Sequence, residues 1–526
     1  MKIKDTVYGR QSRTMGQNWW MWLLMLGWLS GCGQQPGPVS QSNAKVTQAQ
    51  KTPESKAEEV WYAYYLQGDK LGYMRQEQQT LVERGQTLVR TLADSRLKLQ
   101  RQGQVAEVRL AFTTWETPSG ALVRLHGEAN LGPTPTLYHG RVNGDHLELE
   151  TLVSGQGQSV HIPWPANAGG FFAIEQSLER SPMQTGQQRT LQKLEPIINE
   201  LITVDLHAFA WEVTPLLQDS AELLRIDCTM KFADGNRLHS NLWTDRQGRT
   251  LKTYSLADRI ESYRTTREQA LSASPAARFD LALNTQIPLN RRLDNPHQAD
   301  QIKYRVQWED GNPAEMFSHG PSQRVQTLDD HIAEITVRRI RPETQSDGDW
   351  PISEPAAGEE FQTSNSLIQS DDPLLQQMAQ QAVPGVRDPW QLATELEGFV
   401  HRKIERKNFS QAFASALDVA RDLQGDCTEH AVLLAALCRA RGVPTRVAIG
   451  LVYIDDDQPA LAFHMWNEIY LHDRWIPLDA TLGRGGIGGG HLKLAHTSLQ
   501  GGSAYTSFLN VSRVMGRLKV DVMEVQ

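Results

Sequence analysis

Residues 108–115 (VRLAFTTW) and 146–153 (HLELETLV) alternate apolar and polar positions, and residues 121–125 (ALVRL) concentrate strand formers. A period of two is that of a half-buried strand, and Asn143-Gly144-Asp145 and Asp234-Gly235-Asn236 supply tight turns between such runs. The pattern predicts one large antiparallel sheet or open barrel over residues 60–275, a β-rich domain in which no catalytic constellation stands out. Residues 276–342 repeat it on a smaller scale. Strands at 303–308 (KYRVQW) and 333–340 (AEITVRRI), with an EDGNP turn after the first, predict a second, smaller β domain. Residues 343–365 are polar and rich in Pro and Gly, the composition of a linker.

From residue 366 the apolar period lengthens to that of a helix. Asp372-Pro373 and Asp388-Pro389 each place Asp at the N-cap and Pro at the first helical position, opening helices that run to about residues 383 and 405. A third helical run covers residues 415–423. In residues 427–441, Ala431, Leu434, Ala435 and Cys438 recur at helical spacing, and Gly442 and Pro444 end the helix. Strand-like segments follow at 445–454, 462–471 and 474–481, the last two joined through His472-Asp473. The fold class is therefore multidomain, a mostly β N-terminal part followed by an α+β domain over residues 366–526.

The first residues follow none of these patterns. Lys2, Lys4, Arg10 and Arg13 precede the apolar run WWMWLLMLGWL, and Ser30-Gly31-Cys32 comes directly after it, which marks residues 1–31 as a signal peptide. Leu29-Ser30-Gly31-Cys32 resembles the lipobox of bacterial lipoproteins. That resemblance implies acylation of Cys32, an exported protein and a membrane partner reached through a lipid anchor. Gly33, where Asp is absent, resembles outer-membrane sorting, which places the protein on the periplasmic side. Residues 32–59, rich in Gln, Ser, Pro and Lys, read as a disordered tether. Loss of residues 1–31 removes Lys2, Lys4, Arg10, Arg13 and Asp5, so a net charge of -8 becomes -11. Nucleic acid is disfavoured as a partner, because phosphate binding is carried by basic patches. The sequence leaves the oligomeric state open.

Only four cysteines occur in 526 residues, and Cys427 stands at the start of a helix. Cys438 is eleven residues further along the same helix, about 16 Å away at 1.5 Å per residue, too far for a disulfide. Cys438, like Cys228 in the strand-like RIDCTMKF, reads as a core residue. Cys427 and His430 share a helix face, but no second Cys-x-x-Cys or His-x-x-x-His accompanies them, so neither a metal nor a cofactor is expected, and His430 reads as a structural residue of the first turn. A helix N-terminus lowers a thiol's pKa. A hairpin about His472-Asp473 brings His464 near residues 480–482, with Asp479 diagonal to it. Thiol, imidazole and carboxylate are the parts of a Cys-His-Asp acyl-transfer site.

Gly425-Asp426-Cys427, Arg441-Gly442-Val443-Pro444-Thr445-Arg446, His464-Met465-Trp466-Asn467-Glu468 and Trp475-Ile476-Pro477-Leu478-Asp479-Ala480-Thr481 together resemble the bacterial transglutaminase-like superfamily. The resemblance is dense over residues 425–481, with Ala480 standing where proline is frequent. It implies a papain-like fold in which Cys427 is the nucleophile, His464 the base and acid, and Asp479 the group that orients His464. The implied function is thiol-dependent acyl transfer on a protein or peptide substrate at the cell envelope, ending in cross-linking or in hydrolysis as a cysteine peptidase. The alternative is a non-catalytic envelope scaffold or assembly protein that keeps the fold for binding. Gly483-Arg484-Gly485-Gly486-Ile487-Gly488 fits GxGxxG but follows a strand without opening a helix, so it reads as a mobile loop beside Asp479 and not as a nucleotide site. Asp455-Asp456-Asp457 reads as a solvated turn, and Trp466 and Trp475 as packing residues.

Overall fold

A computed structural model describes residues 57–130, 132–233, 235–255, 259–273, 280–344, 350, 354–409, 413–455, 458–500, 507, 511, 513–514 and 516–526. The signal peptide, Cys32, almost all of the tether, Asp234 and the pair Asp456-Asp457 lie outside these residues.

Among the described residues, fifteen strands form one sheet. Its first strand, Glu58–Leu66, lies in the middle and pairs with Asp69–Glu83 on one side and Ile260–Thr265 on the other. From there the sheet runs outward as two meanders, ending at Gln156–Pro163 and at the short Ala168–Gly169. Glu58 and Glu59, read from sequence as tether, already pair with Gln78 and Glu77. The turn at Gly144-Asp145 joins Asn143 to His146 as the sequence indicates. Alternation buries one face of each strand, as in Gln104–Glu116, where Ala106, Val108, Leu110 and Phe112 point into the core. Cys228 is fully buried in that sheet.

The C-terminal part is helices packed on an antiparallel sheet. The helices Pro373–Ala382 and Pro389–Lys403 start where the sequence indicates, with the Asp372 and Asp388 carboxylates accepting from Leu374 and Gln391 N–H groups. Ala416–Asp422 is capped by Ser415. The helix Cys427–Ala440 is buried along nearly its whole length, between the other helices and the strands Thr445–Asp455 and Pro459–Leu471. Arg474–Leu478 pairs with Pro459–Leu471, and His491–Thr497 pairs with Thr445–Asp455.

The boundaries read at 276–342 and 366–526 do not separate two cores. Gln301–Trp308 pairs with Ile332–Arg338 and, on its other side, with Leu518–Val525 from the C-terminus. Ile287 and Pro288 add to the edge of Pro459–Leu471. Ile302, Tyr304, Leu434 and Val520 belong to one continuous hydrophobic cluster. Part of the expected linker is packed as well, with Trp350 buried and Glu354 paired with Arg446. Among the described residues no helix is long and apolar enough to cross a membrane.

Candidate active site

The residue before the helix decides where Cys427 sits. Asp426 caps the helix, its Oδ1 accepting from the Thr428 N–H at 2.8 Å, while Glu429 Oε2 accepts from the Asp426 N–H at 2.8 Å. This reciprocal capping box satisfies two donors that would otherwise be stranded in a buried helix start. Gly425 precedes it with φ at +148°, and a Cβ there would lie 2.3 Å from Glu429 Cγ, so the Gly-Asp-Cys order is sterically required. His430 turns back on the same turn, its Nδ1 2.6 Å from the Asp426 carbonyl oxygen.

His464 lies on Pro459–Leu471, opposite Gly450 of the neighbouring strand. Three residues on, Asn467 Nδ2 donates to the Ala431 carbonyl at 2.9 Å and ties this strand to the first turns of the Cys427 helix. The next residue after His464 faces the thiol, its backbone favouring the thiolate of Cys427. The turn after the strand is tight, with His472 and Asp473 both left-handed at φ +51° and +58°. It pairs Asn467 with Leu478, so Asp479 follows the last rung, diagonal to His464 as the sequence indicates.

His464 Nε2 donates to Asp479 Oδ2 at 2.8 Å. This leaves Nδ1 as the ring nitrogen available to a thiol. A second imidazole, His491, donates from Nε2 to the same oxygen at 3.0 Å. Asp479 Oδ1 accepts from the Thr481 N–H at 2.8 Å, and its own backbone N–H donates to Glu397 Oε1 at 2.8 Å. Burial pushes the Asp479 carboxyl up, but the charge and hydrogen bond of His464, joined by those of His491, outweigh it and hold Asp479 well below the usual carboxylate range.

The thiol departs from the sequence expectation. Burial, aided by the negative charge of Asp426, pushes the Cys427 thiol well above its ordinary value, and the Met465 hydrogen bond and the Arg101 charge only partly oppose this. The helix terminus lowers a thiol's pKa only where the site is polar enough to solvate the thiolate, and Cys427 is 9 % exposed. The resting sulfur is therefore protonated.

The glycine-rich loop also differs from its reading. Gly486 N–H donates to Glu397 Oε1 at 3.2 Å, Ile487 packs with Ala448 and Trp466, and residues 486–490 are buried. Its second half is fastened beside Asp479, while Gly483, Arg484 and Gly485 stay at least partly exposed. Asp455 is ion-paired with Arg292 at 3.1 Å. Trp466 and Trp475 are buried, as expected of packing residues.

Two groups at the site escaped the sequence reading. His491 lies on a strand, His491–Thr497, whose first four residues are all buried, so no alternation marks it. Glu397 did leave a signal, an acid in the apolar stripe of Leu392, Ala393, Leu396 and Val400. Burial pushes its carboxyl up to about 7.

The site thus has Gly-Asp-Cys at a buried helix start, His464 on one strand of a hairpin and Asp479 just past the other. Residues 376–480 match the transglutaminase-like superfamily. Cys427, His464 and Asp479 all fall inside this transglutaminase-like domain, and His491 falls outside the matched stretch. Comparison with curated proteins finds no match. Among solved structures, a candidate cysteine protease from Cytophaga hutchinsonii is similar at 17% identity, covering 44% of this chain and 89% of its own, with a TM-score of 0.26. A β-barrel-like protein of a domain of unknown function from Brucella abortus is similar at 8% identity, covering 40% of this chain and 95% of its own, with a TM-score of 0.30. A candidate protease from Parabacteroides distasonis aligns at 10% identity over 66% of this chain and 64% of its own, with a TM-score of 0.17. The transglutaminase-like match supports a thiol enzyme of the papain-like class in general.

Proposed function

We propose that the transglutaminase-like domain performs acyl transfer on protein or peptide amides, with Cys427 as nucleophile, His464 as base and acid, and Asp479 as the carboxylate that orients His464. The observation that carries this reading is the buried His464–Asp479 hydrogen bond at 2.8 Å, supported by the backbone of Met465, the residue after His464, which acts on the Cys427 thiol. Because the resting thiol is protonated, His464 Nδ1 takes its proton as the sulfur attacks the amide carbonyl. The amide C–N bond breaks, the imidazolium returns that proton to the departing amine, and a thioester remains on Cys427. Asp479, held ionised, stabilises the imidazolium between these two transfers. An amine that opens the thioester gives cross-linking, and water gives hydrolysis. Both end points pass through the same intermediate, so that intermediate is what an experiment should capture.

The proposed setting is the cell envelope, with the chain exported and anchored by lipid at Cys32 on the periplasmic side of the outer membrane. A tether from Cys32 to the first strand at Glu58 would let the domain reach substrates away from the bilayer.

The test uses the full chain with reduced casein as acyl donor and hydroxylamine as a small acceptor. Hydroxamate should form with the native protein, fall by about 10³-fold or more in Cys427→Ser, and fall comparably in His464→Ala. Fractionation of the same preparations should find Cys32→Ser released from the membrane. Retention of the protein's cellular role by Cys427→Ser, with no hydroxamate from any preparation, would instead support the scaffold reading.

A further inference from the structure

Outside the residues grouped around Cys427, one face of the large sheet carries a compact cluster of two imidazoles and a carboxylate. His146 and Glu148 are two residues apart on the strand His146–Val153 and so share a face, and His161 of Gln156–Pro163 stands directly across from Glu148. One ligand atom from each of these three lies within 4.8 Å of the others. Two ligands at i and i+2 on one strand with a third directly opposite form a compact triangle on a surface whose backbone spacing is fixed by the ladder.

The orientation of His146 supplies a separate argument. Asp145 Oδ1 lies 3.2 Å from His146 Nδ1 and Glu148 Oε1 3.5 Å from His146 Nε2, so a metal on Nε2 would take the place of a proton there while Asp145 keeps the Nδ1–H. Metal-binding imidazoles are commonly oriented in this way, by a carboxylate on the nitrogen that does not bind. Atoms that share a tetrahedral zinc at about 2.1 Å lie roughly 3.4 Å apart, so the Nε2 to Oε1 separation already fits. The same face is hollow, with a cavity of about 630 Å³ reached by Glu148 and His161 and also by the cross-strand pair His126 and His139. The Nδ1 atoms of that pair are 3.2 Å apart, a contact that requires one ring to be neutral. Burial, together with the charge of His139, depresses His126 further. The pair therefore adds little positive charge, and the cations a bound metal would compete with are Arg124 and Arg141, which also line the cavity, Arg141 directly across from Glu148.

We propose that His146, Glu148 and His161 form a site for a late first-row divalent metal of the zinc class, with a fourth position open towards the cavity. Two imidazole nitrogens and one carboxylate oxygen select zinc, copper or nickel over magnesium and calcium, which prefer oxygen shells. The proposal is independent of the chemistry assigned to Cys427.

The experiment is calorimetric titration of zinc chloride into chelator-treated, detergent-solubilised full-length protein, with magnesium chloride as the comparison. One zinc per chain is expected, with magnesium giving no saturable heat. His161→Ala and His146→Ala should each weaken zinc at least tenfold, and Asp145→Asn by less, while circular dichroism stays unchanged because these side chains lie on the sheet surface. His464, Asp479 and His491 also lie close enough together to take a metal, so His464→Ala is titrated in parallel. Zinc binding that survives His146→Ala and His161→Ala but disappears in His464→Ala overturns the proposal, as does the lack of any saturable zinc binding.

Discussion

A single oxygen, Asp479 Oδ2, receives two imidazole N–H groups, one from His464 and one from His491. Burial depresses His491, so it stays neutral and has one N–H to give, which it spends on Asp479. Its Nδ1 is buried with no partner. A neutral ring that donates its only proton to the proposed triad carboxylate would fix that carboxylate's angle without competing for the substrate. His491 is therefore a positioning residue. His491→Ala should lower the turnover of hydroxamate formation by about 10- to 100-fold with KM nearly unchanged. His491→Gln, which keeps an N–H donor, should recover part of that loss. Equal losses in both variants, or a loss confined to KM, would show that the ring matters only as packing.

Between elements, Glu397 joins the helix Pro389–Lys403 to the loop that carries Asp479. Its Oε1 accepts the N–H groups of Asp479 and Gly486, yet Oε2 has no partner and burial raises the carboxyl to about 7. The unfolded chain ionises this group near 4.5, so between about pH 4.5 and 7 the folded state binds the extra proton. Stability from this group is full below that window and is lost as pH rises through it, by about 3 kcal/mol in all. Glu397→Gln keeps the acceptor and cannot ionise. The variant and the native protein should melt alike near pH 4, and the variant should be the more stable at pH 7.5. Parallel melting curves across that range would place the ionisation of Glu397 elsewhere. Asp479 has the opposite sign, since its folded pKa is depressed and its contribution fades only as acid protonates it. Elements with local chemistry were legible in the sequence: Asp372 and Asp388 announce their helices through cap and proline rules, and His472-Asp473 sets a hairpin register that carries His464 to Asp479. The His491 strand was not legible, because a fully buried run has no period to read. The thiol's protonation was not legible either, because it depends on burial and on Asp426 more than on the helix end.

At the scale of the whole molecule, the large sheet reaches the residues around Cys427. The hairpin between Gln86–Arg101 and Gln104–Glu116 is held at its tip by Asp280, which accepts from the Gln102 and Gly103 N–H groups at 3.1 and 2.8 Å. From that tip Arg101, 3 % exposed, reaches Asp426 Oδ2 at 2.7 Å, 325 residues away and directly before Cys427. Thr134 and Ser154 of the same sheet donate to Asp418 on a neighbouring helix, so the docking has more than one anchor. Contacts over such separations have no local signature, which is why the sequence reads the sheet as a separate domain of unassigned role. Burial drives Asp426 up, and the Arg101 charge together with the Thr428 N–H brings it back below the usual carboxylate range. Without Arg101 that carboxylate is a buried charge lacking its counterion beside the proposed nucleophile. Arg101→Met should therefore destabilise the protein by about 3–5 kcal/mol and push the Cys427 thiol still higher. Arg101→Lys should fall between that variant and the native protein. Melting curves give the first effect. The second is read from the pH dependence of iodoacetamide alkylation at Cys427, followed by mass spectrometry. Cys438, whose thiol burial pushes up to about 12, serves as the internal reference. A large loss of stability with unchanged Cys427 alkylation would make Arg101 a structural rivet alone, and no change in either would detach the sheet from the site. A joint shift means that docking of the N-terminal sheet sets the protonation of the thiol, so the two halves of the chain act on substrate as one unit.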